Sequence, residues 1–169
     1  MEWLWHVDAN DEPIGRVERG EAHAKLVTHR SGIVFLVDPE ARVYVTKRAA
    51  GKSIFPGCYD ASASFHVAFG ESYEQSAGRE ALEELGLGKP LKQIGKFSHR
   101  DPPESQFVAV FVMDHDGEPI ALDPNEASSG EFYSLGQAER IVFAQPCTPW
   151  LRDGFPILAD WATSGHRNC

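Results

Sequence analysis

Three glutamates, Glu80, Glu83 and Glu84, are spaced so that a helix would bring their carboxylates together. At about 100° per residue they share one arc of the helix surface, since residues three and four apart are neighbours. Like charges at these spacings destabilise an isolated helix, so the arrangement needs a compensating partner. A divalent cation that prefers oxygen ligands, Mg²⁺ or Mn²⁺, would supply it. The alternative is a solvated acidic face.

Two further residues indicate that this acidic patch is held in place. Arg79 directly precedes the first of the three glutamates, and Glu71 lies eight residues before Arg79. A planar guanidinium binds a carboxylate through aligned N–H groups, so this pair would fasten the preceding loop to the helix. The pattern therefore favours an organised cation site over a solvated acidic face.

The helix that would carry the carboxylates has sequence signals at both ends. Ser72 and Gln75 have the spacing of a capping box, in which each side chain satisfies a free backbone N–H. Gly86 marks the end, because glycine enters the left-handed cap conformation at little cost. These signals predict a helix over Tyr73–Leu85. Its apolar arc contains four residues that we expect to pack in the core: Ala77, Ala81, Leu82 and Leu85.

Runs of β-branched and aromatic residues predict strands on both sides of this helix. The first four strands form two hairpins: 3–7 with 14–18 at the N-terminus, and 33–37 with 42–47. Later strands are expected at 91–98, 106–113 and 131–135. Helices are expected at 136–141 and from Pro149 onward, where Pro156 must begin, kink or break the helix. The pattern is therefore one of strands interrupted by one helix and followed by further strands and a helical tail.

Composition excludes several classes of partner. The chain has 169 residues, the size of one domain spanning 1–169, and its formal net charge is −9. An acidic surface without a basic cluster makes nucleic acid and anionic membrane surfaces poor partners. No apolar run approaches the roughly 20 residues that span a bilayer. Cys58, Cys147 and Cys169 are too scattered to predict a disulfide framework, and no secretory signal is evident, so we expect a cytoplasmic protein.

The acidic helix resembles the sequence motif of the Nudix hydrolases, the Nudix box, which spans residues 65–87 here. From its first glutamate onward every defined position of that motif is matched: Glu71-x7-Arg79-Glu80-Ala81-Leu82-Glu83-Glu84-Leu85-Gly86-Leu87. A motif of this length with fixed spacing is far more specific than a short pattern. The resemblance implies an α/β/α sandwich around a mixed sheet, with an N-terminal β-hairpin.

The resemblance also implies roles for individual residues. Glu80 and Glu84 would bind Mg²⁺, with Mn²⁺ as an alternative, and Glu83 would be a further ligand or the base that activates water. Arg79 and Glu71 would orient these groups. The implied reaction is hydrolysis of a phosphoanhydride in a nucleoside diphosphate linked to another group X. The implied partner is a small-molecule diphosphate. The alternatives for the oligomeric state include a homodimer.

Four residues outside the acidic helix are candidates for substrate binding. Arg30 and His66 would contact phosphate, and Glu126 would contact substrate or act as an alternative base. Phe65 stands where the motif begins with glycine, next to the expected diphosphate. Three of them also have an ordinary structural interpretation: a surface ion pair for Arg30, a satisfied structural histidine for His66 and a solvated loop acid for Glu126.

More of the chain resembles one branch of the family, the proteins similar to isopentenyl-diphosphate isomerase. The matching segments are His29-Arg30, 52–57 and Asp60. Isomerases of this branch use a catalytic cysteine, and that register falls on Ser64, a far poorer proton donor and acceptor at its free pKa. Isomerase activity is therefore disfavoured. A non-catalytic nucleotide-binding domain is a further alternative, because Phe65 would reshape the approach to the diphosphate.

Overall fold

The computed structural model describes residues 1–165, in which a nine-stranded mixed sheet lies between helices. The strands are β1 Trp3–Val7, β2 Pro13–Glu18, β3 His29–Val37, β4 Arg42–Arg48, β5 Tyr59–Asp60, β6 Ala63–His66, β7 Leu91–Asp101, β8 Glu104–Asp114 and β9 Ala127–Ser134. The helices are α1 Arg19–Lys25, α2 Tyr73–Leu85, α3 Leu135–Ala144 and α4 Pro149–Thr163. No helix within residues 1–165 is long and apolar enough to cross a membrane.

Strand β3 is the centre of the sheet. It pairs antiparallel with β1, β4 and β6, and parallel with β8 over its whole length, from His29–Gln106 to Val37–Asp114. The predicted N-terminal hairpin is present, since β1 pairs antiparallel with β2. Strand β7 pairs antiparallel with β8, and β9 with β4. The parallel pair among antiparallel ones confirms the mixed sheet.

Two hydrophobic cores cover the two faces of the sheet. One face packs on α2, with Val34 and Leu36 of β3 against Ala77 and Ala81. The other face packs on α3 and α4, with Ile33 and Phe35 of β3 among its buried residues. Because β3 is buried on both faces, its alternate residues reach different cores. This arrangement confirms the predicted α/β/α sandwich.

Helix α2 has the predicted bounds and caps. Ser72 and Gln75 make both hydrogen bonds of the capping box, and Gly86 has the left-handed φ of 71°. The predicted core face was wrong at Leu82, which is 56% exposed, whereas Ala77, Ala81 and Leu85 are fully buried. Leu82 lies at the edge of the apolar arc, about 100° from Ala81, where the helix surface has turned away from the sheet.

Several other elements differ from their predicted extent. Strand β3 begins at His29 rather than at residue 33, α3 extends to Ala144, and Pro156 lies inside α4. Helix α1 and the short strands β5 and β6 were not predicted, because seven, two and four residues are too few to give a periodic pattern. Cys58 and Cys147 are free thiols, and Cys169 lies outside the described residues.

Gly32 on β3 gives a test of how closely the α2 side of the sheet is packed. A Cβ atom at this position would lie 2.3 Å from Cζ of Phe65, which is itself buried. We expect Gly32→Ala to lower the free energy of unfolding by about 1–3 kcal/mol, measured by urea denaturation, because a buried ring must move. Gly15→Ala is the matched control, since nothing lies within 4 Å of a Cβ there. Equal effects of the two substitutions would contradict this packing.

Candidate functional site

Arg79 organises the carboxylates of α2. Its Nη1 donates to Oε1 of Glu80 at 2.7 Å and lies 3.5 Å from Oε2 of Glu83. Its Nη2 and Nε donate to the two carboxylate oxygens of Glu71 at 3.0 and 3.1 Å. The structure thus contains the expected pair between Arg79 and Glu71. One guanidinium joins the loop before α2 to two carboxylates on the helix.

Glu71 is fixed from its other side as well. Ser76 donates to Oε2 of Glu71 at 2.5 Å, and the indole Nε1 of Trp5 donates to the Glu71 carbonyl at 2.8 Å. Hydrogen bonds from Arg79 and Ser76 lower the pKa of Glu71 below its ordinary value. Glu71 is therefore an ionised anchor, and it holds Arg79 in one orientation.

Glu84 has the opposite environment. Burial raises its pKa well above the ordinary value of 4.5, and the negative charges of Glu126, Glu80 and Asp60 raise it further. The backbone amide of Ser64 offsets this only in part. Burial also raises the pKa of Glu80, whose side chain is 20% exposed. Crowded carboxylates of this kind favour a proton or a cation between them.

A cleft of about 520 Å³ opens on the side of the sheet that faces α4. Its cationic residues are Arg19, Arg48 and Lys52, and its apolar residues include Ile33, Ile54, Val108 and Trp150. Lys52 also pairs with Glu126, with 2.5 Å between Nζ and Oε2. Since Glu126 is a charge neighbour of Glu84, the Lys52–Glu126 pair links the cleft to the acidic helix.

Four cleft-side residues form a second group that could hold a metal ion: His23, His29, His66 and Glu104. One ligand atom from each lies within 4.8 Å of the others. Nε2 of His29 and Oε2 of Glu104 are buried and lie 3.4 Å apart, and neither makes a hydrogen bond within residues 1–165. Burial lowers the pKa of His23 and of His66, which favours the neutral imidazoles that bind metals. Three nitrogens and one carboxylate suit a transition metal better than Mg²⁺.

Sequence reasoning missed this histidine cluster. His23 lies on α1, His29 on β3, His66 on β6 and Glu104 on β8, so no local spacing connects them. The antiparallel pairing of Ser31 with His66 brings β6 beside β3, and His23 of α1 contacts His66, with 3.4 Å between the two Nε2 atoms. The sequence predicts only a phosphate contact for His66.

The other predicted substrate contacts lie in different places. Arg30 does not line the cleft: its Nε donates to Oδ1 of Asp11 at 2.7 Å and its Nη2 to the Asp11 carbonyl at 2.6 Å. Alternation along β3 explains this, because His29 and Ser31 take the cleft side. Phe65 is 7% exposed and packs in the α2 core against Gly32, and it also borders the cleft beside Ser64 and His66.

Comparison with known proteins gives one family match and several relatives. The model of the NUDIX domain family matches residues 27–153. The prenyl-diphosphate phosphatase of Methanosarcina mazei is 35% identical over 153 residues, covering 88% of this chain and 89% of its own length. Isopentenyl-diphosphate Delta-isomerase 2 of Photorhabdus laumondii is 31% identical, covering 86% of each chain.

The fold also matches solved structures. The crystal structure of DR0079 from Deinococcus radiodurans superposes with a TM-score of 0.79 at 26% identity, covering 92% of this chain and 98% of that one. The mixed sheet with helices on both faces is therefore shared over nearly the whole length.

The crowding around Glu84 predicts a pH-dependent response to Mg²⁺. Without a cation, the stability contributed by Glu84 falls as pH rises from 4.5 through its raised folded pKa, because the folded state loses a proton that it binds tightly. Mg²⁺ needs the carboxylate form, so its stabilising effect should be larger at pH 8 than at pH 5.5. The melting temperature with and without Mg²⁺ at both pH values measures this.

The control for this experiment is on the same helix. Glu84→Gln should remove most of the Mg²⁺ effect at pH 8, whereas Glu74→Gln, an exposed position in the first turn, should keep it. A shift in melting temperature that is the same at both pH values would contradict the assigned role of Glu84.

Proposed function

This chain belongs to the Nudix family as a Nudix-type pyrophosphohydrolase, and from that premise we propose that it cleaves a small-molecule diphosphate with Mg²⁺ bound by α2. Glu80 and Glu84 are the proposed ligands, with Glu83 as a further ligand or as the base for water. The observation that carries the proposal is the geometry of α2: Arg79 binds Glu71 and Glu80 and lies 3.5 Å from Glu83. The negative charges of Glu126, Glu80 and Asp60, together with burial, raise the pKa of Glu84 and support the same site. A divalent cation relieves that repulsion.

The proposed chemistry is mainly positioning and electrostatics. Bound Mg²⁺ would neutralise charge on the diphosphate and lower the pKa of the attacking water. Arg79 keeps Glu80 in one orientation, and Glu71 keeps Arg79 in place. Glu83 is 58% exposed, so water reaches its carboxylate freely. Mn²⁺ is the proposed alternative ion, since it accepts the same oxygen ligands.

We propose that the substrate carries an apolar organic group on its diphosphate. Arg48 and Lys52 supply positive charge in the cleft, and Ile33, Val108 and Trp150 supply an apolar wall. The M. mazei relative is a prenyl-diphosphate phosphatase, and this similarity supports the same class of substrate. A nucleoside diphosphate linked to a group X is the competing class. One assay that contains both classes of substrate distinguishes them. The proposed compartment is the cytoplasm.

Isomerisation of isopentenyl diphosphate is a second candidate, favoured by the similarity to the P. laumondii isomerase. Ser64 argues against it, because its hydroxyl donates to Oδ2 of Asp60 at 2.9 Å and is not a low-pKa thiol. The histidine cluster is compatible with either reaction, as a second metal centre on the cleft side. Incubation with isopentenyl diphosphate, followed by separation of isomerised from hydrolysed products, distinguishes the two activities.

The proposed hydrolysis is tested by phosphate release from prenyl diphosphates, nucleoside di- and triphosphates and nucleotide sugars, with Mg²⁺ or with EDTA. We expect turnover of prenyl diphosphates that EDTA removes. Glu84→Gln should lower kcat by about 10²–10³, in line with removal of one group that stabilises charge in the transition state. Glu74→Gln should keep full activity.

Each of the other outcomes of this assay would reject a different part of the proposed function. Turnover of nucleotides alone would keep the hydrolase and reject the prenyl class. Full activity of Glu84→Gln would reject the assigned metal ligands. Binding of nucleotides without any turnover would support the non-catalytic alternative.

A further inference from the structure

Asp60 is a buried aspartate on β5, and its two carboxylate oxygens have separate sets of partners. Oδ1 accepts hydrogen bonds from the Ala61 amide at 2.8 Å, the Thr148 hydroxyl at 2.9 Å and the Trp150 indole at 2.8 Å. Thr148 is also the N-cap of α4. Oδ1 therefore fixes both the start of α4 and the orientation of the Trp150 ring in the cleft wall.

Oδ2 of Asp60 serves the polar side of the cleft. It accepts from Nη1 of Arg48 at 2.8 Å and from the Ser64 hydroxyl at 2.9 Å. Nε of Arg48 donates to the Ile54 carbonyl at 3.1 Å. Within residues 1–165 these bonds use two of the three guanidinium nitrogens, and none of the hydrogen bonds described uses Nη2 of Arg48.

We propose that Asp60 is a positioning residue: it orients the two side chains that contact the two ends of a bound diphosphate ester. Oδ1 orients Trp150 toward the organic group, and Oδ2 orients Arg48 so that its free Nη2 donates to a diphosphate oxygen. The guanidinium carbon of Arg48 lies 5.7 Å from the centre of the Trp150 ring, so both groups reach one substrate. The proposal rests on the proposed function, because it needs a diphosphate in this cleft.

The substitution Asp60→Asn distinguishes the role of Oδ1 from the role of Oδ2. An asparagine side chain has one acceptor oxygen, and three donors converge on the Oδ1 position, so the amide oxygen should remain there. Its NH₂ group then faces the Arg48 guanidinium, another donor, and that bond is lost. Trp150 should stay in place while Arg48 is released.

The experiment measures binding of methylenediphosphonate, a diphosphate mimic that is not hydrolysed, and hydrogen exchange of the Trp150 indole N–H by NMR. For Asp60→Asn we expect the Kd to rise about tenfold, the effect of losing one charge-assisted contact, with slow indole exchange retained. The KM of the hydrolysed substrate should rise in parallel, while kcat changes less. Misfolding alone would lower the active fraction without raising KM.

Asp38→Asn is the matched control. Asp38 is also a buried aspartate that holds an arginine, with Oδ2 2.7 Å from Nε of Arg42, and it does not line the cleft. The substitution Asp38→Asn should leave the Kd for methylenediphosphonate and the hydrogen exchange of the Trp150 indole unchanged. If Asp60→Asn does not fold, Arg48→Lys keeps the positive charge without the planar fork and should raise the Kd in the same direction.

Three results would overturn the proposal: an unchanged Kd in folded Asp60→Asn, an unchanged Kd in Arg48→Lys, or a wild-type chain that does not bind methylenediphosphonate. A wild-type chain that binds it with the predicted response to Asp60→Asn, but hydrolyses no substrate, would reject the proposed function and keep the role of Asp60.

Discussion

The site depends on the alternation of side chains along strands that are buried on both faces. On β3, Ser31 and Ile33 face the cleft, whereas Val34 and Leu36 face α2. Strand β6 repeats this division, since Ser64 and His66 line the cleft, whereas Phe65, at the cleft border, belongs to the α2 core. A slip of one residue in either strand would exchange the two sides and move the cleft residues into the core. Packing therefore fixes the register that the chemistry needs.

The second constraint is electrostatic. Arg79 supplies one positive charge to Glu71, Glu80 and Glu83, and it leaves Glu84 without a cationic partner among the described contacts of residues 1–165. Glu84 lies instead among other acids and in a desolvated position. An arrangement of this kind is unfavourable without a proton or a cation, so the same feature that costs stability creates affinity for a divalent ion. Asp60 shows the opposite solution, since its carboxylate is satisfied entirely by donors from the protein.

The sequence was most informative where the signal is local. The capping box of Ser72 and Gln75, the left-handed cap at Gly86 and the spacing of the acidic residues all lie within one helix, and α2 has the predicted bounds. The family and the mixed sandwich followed from the same segment and are confirmed. Leu82 was misplaced, because a helical wheel does not show how wide a surface the sheet will cover.

Features that depend on pairing between distant strands could not be predicted. The histidine cluster combines residues from α1, β3, β6 and β8, and the Asp60 contacts combine β4, β5, β6 and α4. The sequence predicts a phosphate contact for Arg30, but the face of β3 that Arg30 takes depends on how β3 pairs with β6 and β8, and Arg30 binds Asp11 instead. The central claim is that α2 binds a divalent cation. Anomalous diffraction from crystals grown with Mn²⁺ and methylenediphosphonate tests it most directly: we predict an ion bonded to carboxylate oxygens of Glu80 and Glu84, and Mn²⁺ found only among the histidine cluster would contradict it.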